Sequence, residues 1–214
     1  MSSPQEAPLK RYYEQYWSRD APPPCDDPLF PTRLRLLRER LSAAGARTVL
    51  DAGSGAGGLV AELSSLGFAA SGLEVSERAV RHARERHPGC SFLVHDLETL
   101  PWPVEPGSVD VVCSFEVIEH LLSPRSLLEG AHAALKPGGR LALTTPYHGL
   151  LKNLALVLSA FDRHFAVEGD HIRFFSDRSL RALLEETGFR DVSFQHFGRG
   201  PGLWAGTFAW ARRP

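Results

Sequence analysis

The sequence predicts an α/β fold built on a mostly parallel sheet flanked by helices. Two observations predict it. Short apolar runs alternate with segments of helical spacing from Thr48 to Thr145, which is the pattern of βαβ units. The first of these runs leads straight into a glycine-rich loop, Gly53-Ser54-Gly55-Ala56-Gly57-Gly58, that opens a helix. At 214 residues, with 43% hydrophobic and 23% charged side chains, the chain matches one soluble domain with a modest extension.

The elements follow in order. Residues 30–43 place Leu34, Leu37 and Leu41 at helical spacing, with Gly45 as a stop. Thr48-Val49-Leu50 is the first strand. Gly58–Leu66 is a helix ended by Gly67, and Phe68–Val75 is the second strand. Ser76 is an N-cap for Glu77–Arg86, which Pro88-Gly89 closes. Ser91–Val94 and Val109–Phe115 are the third and fourth strands. Ser123-Pro124 opens a helix carrying Leu127, Leu128, Ala131, Ala134 and Leu135, and Arg140–Thr145 is the fifth strand. Residues 146–176 show no clean period. Ser176–Thr187 is a helix stopped by Gly188, and Val192–Phe197 and Leu203–Ala211 form a closing pair of strands.

Composition narrows the function. A net charge of −1 offers no electrostatic footprint for nucleic acid. Cys25, Cys90 and Cys113 are scattered without metal-ligand spacing and read as reduced thiols of a cytoplasmic protein. The N-terminus has no apolar stretch suited to a signal peptide. Leu150–Phe161 is broken by Lys152, Asn153 and Ser159 and is too short to span a bilayer. The oligomeric state stays open.

The glycine loop lets the backbone turn tightly and approach a ligand at a helix N-terminus. On its own, Gly53, Gly55 and Gly58 make a weak GxGxxG pattern. Two carboxylates sharpen it. Glu74 ends the second strand about 20 residues after the loop, where it can accept both ribose hydroxyls. Asp96 follows the third strand and can accept from the exocyclic amine of an adenine. Asp51 lies inside the loop motif. These features fit either a nicotinamide dinucleotide or S-adenosylmethionine (SAM).

Taken together, VLDAGSGAGG, GLEVS, HDLETLP, VDVVCSFEVIEHL and LKPGGRLALTTP resemble the ordered motifs of the class I SAM-dependent methyltransferases. The match runs from about Thr48 to Gly188 and is nearest to the branch containing ubiquinone-biosynthesis O-methyltransferases. The resemblance implies a Rossmann-like sheet of seven strands with the last antiparallel, and SAM as cofactor. By position it puts Asp51, Gly53 and Gly55 at the methionine part, Glu74 at the ribose, and Asp96 with Leu97 at the adenine. Ser54, Val75 and Phe115 are counted as further cofactor contacts. The implied reaction is methyl transfer to an oxygen, less readily a nitrogen, of a small molecule. Asp51 and the Pro137-Gly138-Gly139 turn disfavour a nicotinamide-dependent oxidoreductase. A methyltransferase-like module without turnover is the other class left open, and the complete-looking loop disfavours it.

Glu116, Glu119 and His120 follow the fourth strand, at the ligand-binding edge of such a sheet. If Glu116 begins a helical turn, Glu119 and His120 lie on its face at i+3 and i+4. Three readings stand side by side. The carboxylates orient His120 and cap local backbone; or His120 is a general base; or the group binds a divalent ion with a later histidine such as His148 or His171. The third reading has a parallel in small-RNA 3′-terminal 2′-O-methyltransferases, whose Glu-x-x-Glu-His arrangement it resembles, although this chain lacks a basic bias. The site expected here names His120, His148 and His171 as catalytic and assigns no metal.

Residues 146–176 are expected to cover the acceptor site, with Gly149–Phe161 a lid, a partner surface or, without a strong basic face, less readily a membrane contact. Residues 1–29 crowd Tyr12, Tyr13, Tyr16 and Trp17 ahead of Ala21-Pro22-Pro23-Pro24. They are either a cover for the cofactor or a short helix packed on the outer face of the sheet of the domain, which spans 30–214.

Overall fold

A computed structural model describes residues 8–17, 27–159 and 171–214. Cys25, the Ala21–Pro24 run, His164 and Phe161 lie outside the described residues. The elements are α1 (Pro8–Tyr16), α2 (Phe30–Ala44), β1 (Thr48–Ala52), α3 (Gly58–Ser65), β2 (Ala69–Glu74), α4 (Glu77–Arg86), β3 (Ser91–Val94), β4 (Val109–Phe115), α5 (Pro124–Ala134), β5 (Leu135–Pro146), α6 (Leu150–Ser159), α7 (Asp177–Glu186), β6 (Arg190–Phe197) and β7 (Gly206–Arg212). A short 3-10 turn, Ile118–His120, follows β4.

The seven strands form one sheet in the order β3-β2-β1-β4-β5-β7-β6. Strands β1 to β5 pair in parallel, and β7 runs antiparallel to both β5 and β6. The order reverses between β1 and β4, so the carboxyl ends of these two strands flank the crevice where such sheets take ligands.

Local chemistry sets the boundaries. Gly45 ends α2 in the left-handed region, at φ 61°, where a side chain would be strained. The Ser76 hydroxyl accepts from the Ala79 N–H at 3.2 Å and caps α4. Ser176 and Ser179 cap α7 reciprocally. Ser123 precedes α5 without capping it through its side chain, because its hydroxyl is paired with that of Ser126 at 2.9 Å.

Two expectations change. Strand β5 begins at Leu135, since Leu135 pairs with Val109 across an irregularity before the register resumes at Val111↔Arg140. The aperiodic stretch after β5 contains a helix, α6. None of its residues is buried; Leu150, Leu151, Leu154 and Leu158 share one face of it and are exposed.

The core lies on both faces of the sheet. One side packs Leu127, Leu128, Leu180, Leu184 and Phe189 against the sheet, and the other packs Leu36, Leu37, Leu41, Phe208 and Trp210. No helix among the described residues is long and apolar enough to cross a membrane.

Candidate active site

A cavity of about 240 Å³ opens at the carboxyl ends of β1, β2 and β4. Among the residues expected to hold a cofactor, Gly53, Gly55, Glu74, Val75, Asp96, Leu97 and Phe115 line it. Asp51 and Ser54 do not. Asp51 is buried in β1, just beneath the loop, and Ser54 turns away toward Gly72 of β2.

The glycine loop is braced on β2. The N–H groups of Gly53 and Ser54 both donate to the Leu73 carbonyl, at 2.8 and 2.9 Å. Gly53 has φ 94°, and a Cβ there would meet Val117 at 2.4 Å. A side chain is therefore excluded both by conformation and by space. Loop and strand are locked together by Glu74, whose two carboxylate oxygens accept from the Gly55 and Ser76 N–H groups, each at 3.0 Å.

The electrostatics are those of a site prepared for a cation. Glu74 is 7% exposed and Asp51 4%, and no described cation pairs with either. Burial pushes the Asp51 carboxyl up to about 7, with the Glu74 charge adding to it. Burial also raises Glu74, against the lowering effect of its backbone hydrogen bonds. Two desolvated carboxylates beside a glycine cradle fit a ligand carrying a sulfonium and an ammonium group, as SAM does. Asp96, which also lines the cavity, accepts from the Glu98 N–H through one carboxylate oxygen at 2.9 Å.

Helix α1 closes one side. Tyr12, Tyr13 and Tyr16, with Trp17 just beyond the helix, line the cavity. The helix is held on α4 by Lys10–Glu77 at 2.8 Å, and by Glu14, which accepts from the Glu77 N–H at 2.5 Å. A carboxylate at that position also meets the positive end of α4. The described part of this segment, Pro8–Tyr16, is helical and contributes three tyrosines to the cavity wall.

After β4, the helical face that would follow if Glu116 began a helical turn is absent. Glu116 has φ 54° and precedes the 3-10 turn instead of opening a helix. Glu116 and His120 both line the cavity, whereas Glu119 is buried. Glu116 lines the cavity and accepts from the Thr144 hydroxyl at 2.8 Å, with Arg33 3.4 Å away. Arg33 is itself buried and paired with Asp27. Glu119 points into the core at 0% exposure, takes a 3.2 Å hydrogen bond from Thr145, and leaves Oε1 unpartnered. Burial and the neighbouring Glu116 charge hold its carboxyl well above the usual range. His120 lines the cavity between Tyr13, at a ring distance of 6.4 Å, and His171, at 4.8 Å.

The three histidines expected as catalytic therefore separate. His120 and His171 meet. His148 is buried, 3.1 Å from Asn153 Oδ1 and edge-on to Phe174, and does not line the cavity. Although no metal was expected, Glu119, His120 and His171 each bring one ligand atom within 4.8 Å of the others. Sequence reasoning did not single out Val117 and Leu121, which also line the cavity. Their only signal is that they flank the turn after β4.

The comparisons agree with this geometry. A family model described as a methyltransferase domain matches residues 28–193. The ubiquinone biosynthesis O-methyltransferase of Xanthomonas euvesicatoria pv. vesicatoria (strain 85-10) is 33% identical over 135 residues, or 61% of this chain and 56% of that protein. The chain thus aligns with little more than half the length of this curated relative. Magnesium protoporphyrin IX methyltransferase from Synechocystis PCC 6803, solved with S-adenosylhomocysteine (SAH) bound, superposes with a TM-score of 0.64 at 20% identity, covering 86% of this chain and 83% of that one. Phosphoethanolamine N-methyltransferase 2 of Haemonchus contortus, solved with SAM, gives a TM-score of 0.68 at 19% identity, covering 96% and 56%. With its glycine loop, its paired carboxylates and its sheet order, the chain belongs to the SAM-dependent methyltransferase-domain family.

Proposed function

We propose that the chain transfers the methyl group of SAM to an oxygen, and second to a nitrogen, of a small-molecule acceptor in the cytoplasm. The observation that carries this reading is His120, an imidazole on the wall of the cofactor cavity. SAM supplies a methyl group already activated by its sulfonium. The chain must hold and align the partners and, for a hydroxyl acceptor, take up a proton. Glu74 and Asp96 hold ribose and adenine, and Gly53 and Gly55 face the methionine end, with the buried Asp51 beneath them. The aromatic residues of α1 exclude water from the cavity. His120 takes the proton and His171 supports it, while residues 146–159 and 171–176 contribute to the acceptor side. The name of the Xanthomonas relatives supports an oxygen acceptor.

A panel of small phenols and catechols against primary amines, followed by SAH release, tests the acceptor class. His120→Ala is expected to lower turnover by about 10²–10⁴ with SAH affinity unchanged. An active variant removes His120 as base, and amine-only turnover removes the oxygen acceptor.

A second reading, metal-assisted transfer to a hydroxyl, the chemistry of an RNA-end 2′-O-methyltransferase, is favoured by the proximity of Glu119, His120 and His171. A cation there would let Glu119 ionise and would satisfy its unpartnered oxygen. Full activity in excess EDTA eliminates this reading, and loss restored by Mg²⁺ or Mn²⁺ supports it.

A further inference from the structure

The segment His171–Phe175 reaches the site without helix or strand, and its first four residues are exposed. Apolar burial does not hold His171 in place. Its path is set instead by polar contacts to a turn some fifty residues earlier in the chain. The N–H groups of Ile172 and Arg173 both donate to the Glu119 carbonyl, at 3.0 and 3.1 Å. The Arg173 guanidinium donates through Nε to the Leu121 carbonyl at 2.9 Å and through Nη2 to the Leu122 carbonyl. A 3-10 turn that stops at His120 leaves its last carbonyls without helical partners. The fork of an arginine meets two successive carbonyls at once, and a lysine ammonium does not match that geometry. Among the described residues no carboxylate pairs with Arg173, so its guanidinium serves these carbonyls.

From this geometry we propose that Arg173 is a positioning residue, a strap that holds His171 against His120 at the edge of the cofactor cavity. The clamp closes on both sides of the pair. Glu119 and Leu121 flank His120 in sequence, and Ile172 and Arg173 follow His171. The backbone of one histidine is thereby fixed to the backbone of the other, which accounts for the 4.8 Å ring approach. Without the guanidinium, the Leu121 and Leu122 carbonyls turn to water and the exposed segment is left with the two hydrogen bonds to Glu119. The role in the reaction rests on the proposal that His120 is the base. The role as a strap does not.

The test uses the whole chain with ¹³C-labelled histidine, and His120→Ala and His171→Ala assign the two rings. The unsubstituted protein is expected to show a nuclear Overhauser cross-peak between the His120 and His171 ring protons. Arg173→Met is expected to lose it and Arg173→Lys to weaken it, with SAH affinity unchanged in both. If Arg173→Met does not fold, Arg173→Lys carries the comparison. Absence of the cross-peak in the unsubstituted protein, or its full persistence in the folded variants, overturns the strap. Kinetics read the consequence. Turnover in Arg173→Met should fall by roughly 10- to 100-fold with the KM for SAM unchanged, the scale of an ångström-level misplacement. In a His171→Ala background the same substitution should have no further effect. A lost cross-peak with unchanged turnover would overturn the base assignment and the part of Arg173 in the reaction. Additive losses would overturn action through His171.

Discussion

Replacing Asp51 by Asn should stabilise the ligand-free protein at pH 8 while weakening its hold on SAM. The carboxyl is pushed from an ordinary 3.8 up to about 7, first by burial and then by Glu74. The folded chain thus keeps a proton that the unfolded chain has released. Stability from this group is complete below about pH 4, is lost as pH rises toward 7, and stays lost above it. The gap between 3.8 and about 7 corresponds to roughly 4 kcal/mol. An asparagine does not ionise, but its amide must be satisfied in the same buried place, which costs about 1–3 kcal/mol. The net gain at pH 8 is then on the order of 1–3 kcal/mol, or several degrees in Tm for a chain of this size. At pH 5 most of the ionisation penalty is absent, and the variant's advantage shrinks by about 3 kcal/mol. Thermal melts of both proteins at pH 5 and pH 8 without ligand measure this difference. Calorimetry with SAM between pH 6 and 8 measures the other half: affinity should rise with pH more steeply in the protein that keeps Asp51. A variant no better, relative to the parent, at pH 8 than at pH 5 would refute the reasoning.

Two further outcomes follow from the same site. Glu74→Ala should weaken SAM binding by about 1–3 kcal/mol, the cost of losing a buried hydrogen-bonding partner, and calorimetry at matched pH checks it. Unchanged affinity would show that the ribose lies elsewhere. If α1 is a ligand-ordered cover, limited proteolysis between Lys10 and Arg19 should slow when SAH is saturating. Equal cleavage rates with and without SAH would leave α1 as a helix packed on α4 and nothing more.

The parts of this fold that are legible in the sequence are those decided locally. Gly45, Gly67 and Gly188 stop helices because each takes a positive φ, and Ser76 caps α4 with its own side chain. Glu74 and Asp96 reach the cavity because they end, or follow, parallel strands that all point the same way. The rest depends on contacts that sequence spacing does not encode. Helix spacing put Glu116, Glu119 and His120 on one face, whereas Glu116 is left-handed and precedes a 3-10 turn, and Glu119 is buried while Glu116 and His120 line the cavity. Helix α6 is short and presents Leu150, Leu151, Leu154 and Leu158 on one exposed face, so its apolar residues do not mark a core contact. His148 and His171 looked alike after β5, yet only His171 is carried to His120, by bonds from Ile172 and Arg173 to the Glu119 carbonyl. Ser54 belongs to the loop motif, but packing against Gly72 turns it away from the ligand.

Isothermal titration calorimetry with SAH and, separately, with NAD tests the central claim most directly. The buried pair of Asp51 and Glu74, the Asp96 acceptor and the aromatic wall of α1 predict saturable, one-to-one binding of SAH and no heat from NAD at the same concentrations. Binding of NAD, or no binding of SAH by the folded chain, would contradict the account.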